Sequence, residues 1–181
     1  MDGIYVPPLS RKNIREQAIF LRDSLQITGY FPIIKVLENT MYKILHPNDY
    51  YFDIRDCMEM GDYHGRTGKN FIHLREDVYD GACFGNGRDR FTAAHELGHY
   101  IFHRDYIGLL HRQICTSETK SYCNSEWQAN TFASELLMPA CLFERCRCIE
   151  EVQEYLGVTY SAAIARNDIL LRDGLITKSL C

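Results

Sequence analysis

An α+β fold is the architecture this sequence predicts, from three features of its pattern. Apolar residues recur at helical spacing near both ends of the chain. Short apolar or aromatic runs broken by turn formers fill residues 41–84, and a long helical segment follows them. The expected sheet is small, mixed or antiparallel, with short strands.

Residues 10–26 place Ile14, Ala18, Leu21 and Leu25 on one helical face, with Ser10 or Asn13 as a cap. A second helix is expected over 32–40, where Pro32 suits a first turn and Ile33, Val36 and Leu37 share a face. The runs at 41–45, 50–54, 70–74 and 77–84 read as strands joined by hairpin-like turns. After Gly85-Asn86-Gly87 a long helix is expected from Asp89, its cap, to Arg104. A polar loop then covers 108–123, and another helix runs over 124–137 until Pro139 stops it. Three short helices follow from 140 onward, and the last two make a C-terminal helical segment over 149–181 that is expected to pack on the 1–148 domain. Gly157-Val158-Thr159 gives that segment a helix-turn-helix look.

Composition narrows the function. The 181 residues carry a formal net charge of −4, which gives no electrostatic reason to expect nucleic acid or an anionic membrane as partner. Acidic residues also outnumber basic ones over 150–178, for a net −2, which argues against direct DNA binding there. The N-terminus lacks the charged-then-apolar pattern of a secretory signal, and no window has the length of a membrane span, so a cytoplasmic location is expected. Eight cysteines without a CxxC pair then read as reduced small hydrophobes. Cys141, Cys146 and Cys148 form the one close grouping.

His95-Glu96-Leu97-Gly98-His99 is an HExxH pattern inside a helix. Spacing of four puts both imidazoles on one face, so two nitrogens can reach one ion, while Glu96 projects about 100° round the helix toward a water at the open position, as a base. A third ligand is needed. His103 is about 12 Å of helix rise from His95, too far to share an ion bound at about 2.1 Å, and reads as a packed or hydrogen-bonding histidine. Glu126 and Asn130 lie one turn apart on the later helix. One of them can bind the metal while the other accepts a hydrogen bond from a ligand histidine. Ala129, Ala133, Leu136 and Leu137 form an apolar stripe suited to packing on the HExxH helix.

The stretches Arg90–His99 and Glu126–Pro139 together closely resemble the ImmA/IrrE metallopeptidase family, as does the C-terminal EYLGVTYSAAIARNDILLRDGLI. The resemblance implies a zincin-like domain over 1–148 with a gluzincin-like site. His95, His99 and Glu126 would hold one Zn2+, Glu96 would be the catalytic base, and Asn130 would support a ligand from behind. The better-known gluzincin pattern has aspartate at that last position. The same donors also accept Mn2+ or Fe2+. His111, Tyr106 and Tyr122, between the two helices, are candidates for stabilising the oxyanion. The implied activity is a regulatory metallo-endopeptidase whose substrate is a phage or mobile-element helix-turn-helix repressor. Alternatives are an anti-repressor that binds without cutting and a toxin-type protease.

Overall fold

A computed structural model describes residues 3–45, 49–107 and 114–180. Helix α1 (Arg11–Ser24) is capped by the Ser10 hydroxyl, which accepts from the Asn13 amide at 3.1 Å. Helix α2 occupies 33–44 and contains a π-helical turn at Val36–Thr40. The run at 41–45, read above as a strand, therefore closes a helix. Its apolar residues fit a one-sided helical surface as well as a strand, and Met41 is the one that turns inward.

Strands β1 (Tyr51–Arg55), β2 (Gly65–Thr67) and β3 (Phe71–Arg75) form a mixed sheet in the order β1-β3-β2. β1 pairs parallel with β3, and β2 pairs antiparallel with it. The four-residue helix α3 (Cys57–Met60) lies in the connection from β1 to β2. Ile72 and Leu74 on β3 are fully buried, as alternation on a strand with one covered face requires. The expected 77–84 strand is instead the helix α4 (Glu76–Cys83), with Val78 and Ala82 facing inward and two acids in its first turn.

Helix α5 (Gly87–His103) carries the HExxH residues. Its cap is Asn86, whose side chain accepts from the amides of Arg88 and Asp89, so Asp89 sits in the first turn. Helix α6 (Ser125–Leu137) is capped by Asn124. These two helices make the most extensive packing in the fold. A Cβ at Gly98 would lie 3.2 Å from the Ala129 Cα, so the small residues bring the backbones together. The expected stripe of Ala129, Ala133, Leu136 and Leu137 is fully buried.

After the short α7 (Ala140–Phe143) come α8 (Ile149–Leu156) and α9 (Tyr160–Arg172). Gly157 ends α8 in the left-handed region at φ 63°, and the Thr159 hydroxyl caps α9. Val152, Leu156, Ala163 and Leu170 join the same core cluster as Ile14, Leu37, Leu97 and Phe132. Arg166, one of the few basic residues here, is turned inward onto Glu135. No helix among the described residues is long and apolar enough to cross a membrane.

Candidate metal centre

His95 and His99 stand one turn apart on α5, and their Nε2 atoms approach to 2.9 Å. Both nitrogens face Glu126 on α6: Nε2 of His95 is 3.3 Å from Oε2, and Nε2 of His99 is 3.2 Å from Oε1. Glu126 occupies the first turn of its helix, where exposed amides and the helix dipole favour a carboxylate. Burial pushes its carboxyl pKa up, but the hydrogen bonds and charge of the two histidines outweigh this and hold it well below the ordinary range. At His95 burial lowers the pKa, and Glu126, Glu96 and Asn130 more than reverse it.

With both Nε2 atoms free of hydrogen, as metal ligands must be, so close an approach would be repulsive unless something positive lay between them. The donor set fits a metal ion: one ligand atom from each of His95, His99 and Glu126 lies within 4.8 Å of the others. Tetrahedral coordination at about 2.0–2.1 Å places ligand atoms about 3.3 Å apart, close to the two histidine–carboxylate separations. Among the described residues no cysteine joins such a group, and the seven described cysteines are free.

Three further contacts build the surroundings. Asn130 Oδ1 meets Nδ1 of His95 at 2.9 Å. Glu96 is not one of the converging donors; its Oε2 accepts from the Thr67 hydroxyl at 2.6 Å. Gly65 lies against the Glu96 side chain, where a Cβ would come 2.5 Å from Cγ. The sheet thus reaches the centre through β2, and β3 lies between β1 and β2. Behind His99, Nδ1 lies 3.0 Å from Nδ1 of His103, whose Nε2 meets Gln128 Oε1 at 2.9 Å. Burial lowers the His103 pKa to about 4, so that imidazole is neutral near pH 7.

Sequence reasoning missed Thr67, Gly65 and Gln128. His103 lies one turn past His99, so the helical register carried a signal for it, whereas Gln128 lies about 200° round α6 from Glu126 and had none. Thr67 lies on a strand hidden among turn formers and gave none. Of the oxyanion candidates, His111 lies outside the described residues. Among the described residues, neither Tyr106 nor Tyr122 hydrogen-bonds through its hydroxyl to His95, His99 or Glu126. Tyr122 contributes its backbone carbonyl, which accepts from Gln128 and from the Leu9 amide.

The family model for the IrrE N-terminal-like domain, of the M78 peptidases, matches residues 51–167. No match is found among curated proteins. The matched segment spans well over half the chain, takes in the sheet and both helices of the centre, and makes this protein a member of the ImmA/IrrE family of metallopeptidases.

Proposed function

We propose that this protein is a zinc-dependent endopeptidase that cuts a specific regulatory protein, a helix-turn-helix repressor of a phage or mobile element, in the cytoplasm. The observation that carries the peptidase reading is the convergence of His95, His99 and Glu126 with Glu96 beside them, held apart by Thr67. A zinc ion bound there supplies Lewis acidity, making water more acidic and the scissile carbonyl more electrophilic. His95, His99 and Glu126 would hold the ion, and Asn130 would orient His95. Glu96, held by the Thr67 hydroxyl, would accept the proton of the attacking water and return it to the leaving amine. β2 has no partner on its outer side among the described residues, which leaves its backbone groups to pair with an extended peptide. The substrate class follows from the family resemblance.

The test is to incubate a helix-turn-helix regulator encoded beside this gene with the wild type and with Glu96→Gln, reading fragments by mass spectrometry. The expected outcome is a cut with the wild type that chelator abolishes and Glu96→Gln lowers by at least about 100-fold, the scale of a general base. A regulator bound tightly by both forms but left whole would replace cleavage with an anti-repressor that only binds.

A further inference from the structure

His103 and Gln128 have no place in the peptidase reaction above, yet each is only 1% exposed and both lie behind a metal donor. Gln128 Nε2 is 2.9 Å from the Pro7 carbonyl and 2.8 Å from that of Tyr122. Carbonyl oxygens only accept, so the amide nitrogen with its two hydrogens must face them. Oε1 is then the end that meets His103 Nε2, and because it too only accepts, His103 must carry its proton on Nε2. Among the described residues the ring nitrogens of His103 meet only His99 and the Gln128 oxygen, with no carboxylate to hold a second proton, so its Nδ1 presents a lone pair to Nδ1 of His99. His99 must donate from Nδ1, which leaves its Nε2 bare on the side of Glu126 and His95.

We infer that His103 and Gln128 are positioning residues, forming a buried relay that locks His99 in the tautomer whose Nε2 faces the metal. The inference rests on the reading of His99 as a ligand. The two histidines are held differently. His95 leans on Asn130, which is exposed, whereas His99 leans on a chain of buried groups ending in two backbone carbonyls. One of those carbonyls belongs to the N-terminal segment, which is stitched to the residues before α6. The Ser125 amide donates to the Ile4 carbonyl, the Ile4 amide donates to the Ser125 hydroxyl oxygen, and the Val6 amide donates to the Cys123 carbonyl. The start of the chain therefore contributes to the orientation of a side chain far along it.

Two measurements test the relay. Long-range proton–nitrogen spectra of the zinc-loaded wild type report tautomers directly, and His103 is expected as the Nε2–H form. His103 as the Nδ1–H form would overturn the inference, whatever any variant does. Zinc affinity by chelator competition is the second readout. His103→Leu removes the acceptor and should weaken zinc binding about 10- to 100-fold, as losing a ligand's supporting partner does. In His103→Asn, Oδ1 stands two bonds from Cβ, as Nδ1 does, and should hold affinity within about threefold of wild type by keeping that support. Equal affinity in all three, or equal loss in both variants, would overturn the relay. A wild type that takes up no zinc would instead overturn the metal-site reading beneath it.

Discussion

At the scale of single residues, Gly65 has the most specific consequence. A Cβ there would come within 2.8 Å of the Glu96 carboxyl carbon and Oε1, and within 2.5 Å of Cγ. These atoms end a flexible side chain, so the chain can absorb the clash by swinging Glu96 aside. Gly65→Ala should therefore fold and bind zinc like the wild type while kcat/KM falls on the order of 100-fold, the worth of a displaced base. Cleavage kinetics beside metal content would check this, and unchanged kinetics would mean that Glu96 does not work from the orientation seen here. The ligand histidines were legible in the sequence because helical spacing alone fixes which side chains share a face. The contacts of Gly65 and Thr67 were not, since a register between strand and helix leaves no local trace.

At the scale of elements, α6 serves two sites along its length. Its first turn carries Glu126, and its last buries Glu135 at 1% exposure. There Glu135 accepts from two nitrogens of Arg166, itself fully buried, and from Nε of Arg15 at 3.1 Å. Removing the carboxylate strands the Arg166 charge in the core. Glu135→Leu should thus lose about 3–5 kcal/mol of stability, the usual result of breaking a buried ion pair from one side. Nine residues of helix separate it from Glu126, about 13 Å, so zinc affinity of the folded variant should not change. Urea unfolding and chelator competition together separate the two effects, and a loss of affinity matching the loss of stability would show the sites to be coupled. The long helices were legible because caps, spacing and Pro139 all agreed. The runs at 41–45 and 77–84 were misread as strands because a few apolar residues in a row fit either period. β2 was hidden by its glycine and its turn-forming neighbours, and what defines it is pairing with β3.

At the scale of the whole molecule, the question is whether the C-terminal helices unfold with the rest, which sequence spacing could not address. Arg90 bears on it most directly. It sits in the first turns of α5 at 1% exposure, and its Nε donates to the Gly157 carbonyl at 2.7 Å. Its Nη2 reaches the carbonyls of Phe31 and Leu156 at 3.1 and 3.2 Å, and its guanidinium carbon lies 3.7 Å from the centre of the Tyr30 ring. One side chain thus ties the helix of the metal donors to the segment before α2 and to the turn between α8 and α9. A lysine ammonium has neither the fork nor the flat face for this set. Hydrogen bonds from a charged donor are worth about 1.5–3 kcal/mol each and overlap when they share it, so Arg90→Lys should lose about 2–4 kcal/mol. With α8 and α9 in the common core, the loss should appear as one unfolding transition at lower temperature, with amide exchange over 149–172 accelerated most. Calorimetry and hydrogen exchange decide it. A transition that splits in two, with exchange unchanged around His95 and His99, would make the C-terminal segment a separate unit that Arg90 merely docks.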